Sequence, residues 1–193
     1  MAIFVFATLL LTGCASSLQQ VAPDQDTVFD PSLLGTWLEV HESIKNSPII
    51  VTNHDHQTYE ISSHGNDKPI TSVYALSLFR INGVLFFDLA LSRVEVNGVE
   101  VGADDLAVQP LHFFGRIWIR ADEVRASAVS AGWLRKNLGE KNLTLDHLPF
   151  KSHGFLGDDV TLTSSPQEIR DFAAEYADDK SVFPKSAVFR RKK

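Results

Sequence analysis

Val73-Tyr74-Ala75-Leu76-Ser77-Leu78-Phe79-Arg80-Ile81-Asn82-Gly83-Val84-Leu85-Phe86-Phe87-Asp88-Leu89-Ala90-Leu91-Ser92 decides the fold. Asn82-Gly83 divides two β-rich runs. Asn-Gly is the favoured two-residue hairpin loop because both loop positions need positive φ. Such a loop sets the register: Ile81 faces Val84, Phe79 faces Phe86, Leu78 faces Phe87 and Leu76 faces Leu89. Side chains alternate along a strand, so Tyr74, Leu76, Leu78, Phe87, Leu89 and Leu91 share one face, which must be core. The opposite face carries Phe79, Ile81, Val84 and Phe86 near the turn, then Ala75, Ser77, Asp88 and Ala90. A slip of one residue would expose the whole core set, so the register is tightly specified.

More strands lie on either side. Asp30-Pro31-Ser32 is a turn signal, and 35–40 reads as a first strand. Residues 48–52 and 57–61 are short strand candidates. Residues 94–101 repeat the Asn-Gly signal and predict a small hairpin with its Val face packed and its Glu face wet. In 112–121, Phe113, Ile117 and Ile119 point one way, and Phe114, Arg116, Trp118 and Arg120 the other. Asp122-Glu123 turns the chain, and 124–129 returns antiparallel. Ser130 caps a helix over 131–138, ending at Gly139. Residues 142–145 and 160–163 read as strands, with a loop over 154–159. Ser165-Pro166-Gln167-Glu168 is a capping box opening a helix that buries Ile169, Phe172, Ala173 and Tyr176. Residues 187–189 form a final strand. The fold class is mainly β (α+β): an antiparallel meander forming a barrel or half-barrel, with two short helices in the C-terminal half.

Hydrophobic residues make up 44% of the chain and charged residues 22%, enough apolar content for a core. The net charge is −6, and without the basic end Arg190-Arg191-Lys192-Lys193 the remainder carries −10. So acidic a domain argues against a nucleic-acid partner. One cysteine, Cys14, excludes an internal disulfide.

Cys14 closes an apolar run, Ile3 to Leu11, too short to span a bilayer. Leu11-Thr12-Gly13-Cys14 resembles the lipobox of bacterial lipoproteins. The resemblance implies that residues 1–13 are a removed signal peptide and that Cys14 carries covalent lipid. Residues 14–31, polar and without periodicity, then read as a flexible tether. Residues 32–193 read as a single β-rich domain with a basic C-terminal tail. The resemblance further implies a lipid-anchored place at the cell membrane or outer membrane; Ala15 and Ser16 after the cysteine favour the outer membrane, if the cell has one. Two or more acyl chains anchor stably. No cofactor motif accompanies this covalent lipid.

Gly35-Thr36-Trp37 entering the first strand resembles lipocalins and related calycin barrels, in which the Trp plugs one end. No Arg is assigned a place over Trp37 from the sequence. The lipobox, the Gly-x-Trp strand, the long hairpins, Gly132-Trp133-Leu134 and Leu162-Thr163-Ser164-Ser165-Pro166 together look similar to uncharacterised bacterial envelope lipoproteins. That similarity implies a fold and a location, and no activity.

Four features have chemical potential. His54 and His56, at i and i+2, could share a metal ion if His41, His64 or Asp67 supplied a third ligand; otherwise they are surface histidines. Asp88 interrupts an apolar strand, as a pocket carboxylate or as an outer-face residue bonded to Ser77 or to water. Arg116, Trp118 and Arg120 form a ladder that suits an anionic or aromatic ligand or a partner face, or is a plain exposed wall. The basic tail could touch anionic lipid or stay solvated. The chain lacks the Gly-x-Ser-x-Gly, His-Glu-x-x-His, Ser-x-x-Lys and phosphate-loop motifs.

Three functions follow: a non-catalytic structural or protein-binding envelope module, a lipocalin-like carrier of a small apolar ligand, or a metal-dependent or acid–base enzyme. The partners expected are membrane lipid, and an envelope protein or a small apolar ligand. A filled barrel favours the module, an open cavity the carrier, and His54 and His56 converging on a third ligand the enzyme.

Overall fold

The computed structural model describes residues 14–22, 26–40, 48–55, 57–64, 70–102, 110–140, 142–153, 157–184 and 187–193. The 1–13 signal-peptide reading lies outside them. In chain order the strands are β1 (Ala15–Ser17), β2 (Gly35–Glu39), β3 (Ile49–Asn53), β4 (Thr58–His64), β5 (Ile70–Ile81), β6 (Val84–Val96), β7 (Val99–Gly102), β8 (His112–Ile119), β9 (Glu123–Ala128), β10 (Lys151–His153), β11 (Gly157–Leu162) and β12 (Ala187–Arg191). The helices are α1 (Ala131–Gly139) and α2 (Pro166–Glu175), and a 3-10 turn covers Pro31–Leu33.

The β5–β6 hairpin has the expected register, with Ile81 opposite Val84, Phe79 opposite Phe86, Leu78 opposite Phe87 and Leu76 opposite Leu89. Asn82 and Gly83 take φ of 50° and 82°, the left-handed pair this loop requires. Strand order runs β8-β9-β12-β2-β3-β4-β5-β6, and β6 pairs back onto β8. The result is a closed eight-stranded antiparallel barrel, so no edge remains around the ring.

Alternation divides the apolar residues between two cores. Inside the barrel lie Trp37, Val51, Tyr59, Leu76, Leu78, Phe87, Ile117 and Phe189. Outside, Phe79, Phe86 and Phe114 on the walls of β5, β6 and β8 meet α1, α2 and the N-terminal segment through Leu134, Ile169, Phe172, Val21 and Ala22. Both helix caps form as expected: Ser130 Oγ accepts the Trp133 N–H, and Ser165 and Glu168 close a capping box.

Several expectations are corrected. Residues 14–31 are no tether where described. β1 pairs antiparallel with β8 and parallel with β11, and Ala15, Ser17, Val21 and Ala22 are fully buried. Farther on, the Val28 N–H donates to the Leu78 carbonyl at 2.8 Å. The folded unit therefore begins before residue 32. Residues 142–145 form no strand. The chain winds off α1 there, with the Asn142 N–H on the Asn137 carbonyl, and pairs with β11 farther on, at the His147–Leu162 bridge. β11 begins within the expected 154–159 loop. The Val face of the second hairpin is packed only in part: β6 runs past the barrel rim with β7 as partner, leaving Val94 and Val101 half-buried and Val96 and Val99 exposed. The basic tail is half strand, because Arg190 and Arg191 pair with β9 and β2 to help close the ring.

Candidate functional site

The candidate site is the barrel interior, and its geometry starts from one closed end. The 3-10 turn before β2 crosses that end. Asp30 caps it by accepting the Ser32 N–H, and Leu33 is buried. Trp37 follows, with its indole N–H donating to the Leu33 carbonyl at 2.8 Å. Phe29 stacks on Tyr59 at 4.9 Å, and the Tyr59 hydroxyl bonds with the backbone of Asp30. Burial pushes the Tyr59 phenol up from its usual range.

Arg191 completes this end. Its guanidinium lies 4.3 Å from the Trp37 ring centroid and donates to the carbonyls of Ser32, Leu34 and Ala121. One side chain at the end of β12 thus ties the 3-10 turn to the β8–β9 turn while covering the indole. Sequence reasoning missed this role. The signal was present: Phe189 and Arg191 share a strand face by alternation, so a core Phe189 places Arg191 inward.

Above Trp37 the interior is not filled. A cavity of about 120 Å³ opens among side chains that include Trp37, Val51, Tyr74, Leu76, Phe87, Leu89, Phe113 and Ile117, and its accessible wall is apolar. An apolar cavity of roughly 150 Å³ stays dry and accepts a benzene-sized guest. The cavity therefore suits one ring or a short chain and offers no hydrogen bond to a polar one. Ser63 also lines it, and the Tyr74 hydroxyl is engaged with Ser72.

The other predicted residues lie apart from this cavity. Arg116 sits 4.7 Å from the Trp118 centroid and reaches the Ala177 carbonyl and Asp178, so it is braced against the segment after α2. Trp118 is 38% exposed, and Arg120 is exposed. The ladder is an outer wall of the barrel.

Asp88 faces outward opposite Ser77, as the register predicts, but it is neither solvated nor bonded to Ser77. The N-terminal segment covers it. Asp88 Oδ2 accepts the N–H groups of Val21 and Ala22 at 2.6 and 3.1 Å, and Oδ1 lies 2.8 Å from His112 Nδ1. The carboxylate is a clamp that fastens residues 15–22 to the wall.

Cys14 is half-buried and bridges Ser130; burial pushes its thiol up to about 11. His54 is exposed, with Nδ1 3.3 Å from Glu60. Glu60 also binds Arg93, whose hydrogen bond holds that carboxyl below its usual range. His56 and the proposed third ligands His41 and Asp67 lie outside the described residues, and nothing is described of the His64 side chain. Among the described residues, no group of three or more His, Cys, Asp or Glu converges as a metal site. No helix among them is long and apolar enough to cross a membrane. No family model, curated protein or solved structure matches this chain.

Proposed function

We propose that this protein is a lipid-anchored envelope lipoprotein whose barrel carries a small apolar ligand. The observation that carries the ligand half is the apolar cavity left open inside a closed ring of strands. A module built only to present its outer surface needs no such void, because each unfilled volume costs stability. The Trp37 and Arg191 arrangement supports a lipocalin-like reading, in which one end is closed and the ligand rests against the plug. The anchor half is supported by Leu11-Thr12-Gly13-Cys14 and by the apolar run before it.

Native mass spectrometry of the delipidated protein from its own host tests the carrier. A retained apolar compound of one ring or a short chain is expected. Ile117→Trp should fill the cavity and expel that compound while the circular dichroism spectrum stays unchanged. The same mass retained by a folded Ile117→Trp protein would sink the carrier, as would a wild type that neither holds a ligand nor takes up an apolar dye. The anchor has a separate readout: Cys14→Ser should abolish metabolic fatty-acid labelling, and persistent labelling would overturn it.

A further inference from the structure

Two basic features that stand about seventy residues apart in sequence meet on one barrel face. β9 lies between β8 and β12, so Trp118 pairs with Arg125, Arg125 with Val188, and Glu123 with Arg190. Their neighbours Ile117, Val124 and Phe189 fill the interior, and alternation turns Trp118, Arg125 and Arg190 outward. Arg120, Lys192 and Lys193 are exposed beside them. Glu123 lies 2.8 Å from Arg125 and 4.0 Å from Arg190, and Asp178 pairs with Arg116, so with Asp122 three acids face Arg116, Arg120, Arg125, Arg190, Lys192 and Lys193, which leaves the wall net positive whereas the whole chain carries −6. Positive charge is therefore concentrated on this wall of an acidic protein. The helix layer covers Phe79, Phe86 and Phe114 on the neighbouring walls, and Trp118, Arg125 and Arg190 remain exposed. Trp118 stands half-covered by the Arg116 guanidinium, beside a shallow cleft of about 230 Å³ bounded by Trp118, Arg120, Glu123 and Arg125.

We infer that this β8–β9–β12 face docks on an anionic phospholipid surface. The chemistry matches on three counts. Exposed arginines and lysines are drawn to phosphate headgroups. An indole settles at the boundary between headgroup and hydrocarbon. Arginine stems lie along apolar surface while their heads reach for charge. A lipid chain and a basic patch are the two signals that together give stable membrane attachment. The inference does not depend on lipidation, because it is tested on a chain that cannot be lipidated.

The test uses the full chain with Cys14→Ser, and the same chain with Arg120, Arg125 and Arg190 changed to Gln. Each is sedimented with phosphatidylglycerol vesicles and with phosphatidylcholine vesicles. The N-terminal apolar run is common to both chains, so their difference reports the face alone. The triple variant should bind phosphatidylglycerol about a hundredfold more weakly and phosphatidylcholine equally. The difference should vanish at about 0.5 M salt, where the screening length is a few ångströms. Brominated phosphatidylglycerol should quench Trp118 emission, and Trp118→Phe should remove that quenching. Equal binding of both chains to phosphatidylglycerol would overturn the inference, as would quenching that survives Trp118→Phe. If neither vesicle binds and an acidic protein does, the lipid assignment fails too.

Discussion

Asp88→Ala should cost about 3–5 kcal/mol of folding stability and free residues 15–22 from the barrel wall. The substitution leaves two buried backbone N–H groups, of Val21 and Ala22, without their acceptor, and takes the partner from His112. An unsatisfied buried donor costs about 1–3 kcal/mol, more when its partner was charged. Asp88→Asn keeps one carbonyl oxygen and should cost about half as much. Denaturant unfolding gives the magnitude. Hydrogen exchange gives the location: amides 15–22 should lose protection while those of β5 and β6 keep theirs. Uniform loss of protection, or a cost below about 1 kcal/mol, would contradict the clamp.

Gly115→Ala should destabilise the barrel by more than about 3 kcal/mol, or prevent folding altogether. A Cβ there would stand 2.1 Å from the Ser127 carbonyl oxygen and 2.7 Å from the Ala128 Cα. Both obstacles are backbone, so no side chain can turn aside. Gly115 pairs with Phe87 on one flank and Ala128 on the other, so relief requires β8 to part from β9 within the ring. Gly132→Ala serves as control. Its Cβ would meet nothing nearer than 3.9 Å, and in the first turn of α1 it should be neutral or stabilising by up to about 1 kcal/mol. Thermal melts of the two variants should move in opposite directions or not at all for the control; a wild-type melt for Gly115→Ala would refute the close approach.

The parts of the fold that could be read in advance are those with local causes. Asn82-Gly83 sets a register through its own backbone angles, and Ser165 with Glu168 closes a cap within four residues. Gly35-Thr36-Trp37 marked a strand entry, and Trp37 does lie in the interior. What escaped was set by partners distant in sequence. Phe79, Phe86 and Phe114 required a cover, but nothing local said that residues 15–22 would provide part of it. That stretch looked like a linker because it is polar and too short to show alternation. Its serines are nonetheless buried: Ser16 Oγ lies 3.1 Å from Thr161 Oγ1, and Ser17 Oγ accepts the Gln19 N–H. The outward face of Asp88 follows from the register, but its partners escape for the same reason, since that segment supplies them. The cavity was illegible in principle, because a void reflects how side chains from eight strands fail to meet. The place of Arg191 is legible by alternation from Phe189, although the basic run Arg190 to Lys193 masks the strand that holds it.

The seating of β1 has a mechanical side. The strand runs antiparallel to β8 and parallel to β11, and Cys14 stands immediately before it. A pull on Cys14 along the strand axis would load the hydrogen bonds on both flanks at the same time, in shear. A pull across the axis would break them one after another, like a zip. The Asp88 clamp lies beyond β1, at Val21 and Ala22, so it takes up load only after the strand has yielded. Force reaching the chain at this point is passed straight into the barrel wall, with no slack segment to absorb it.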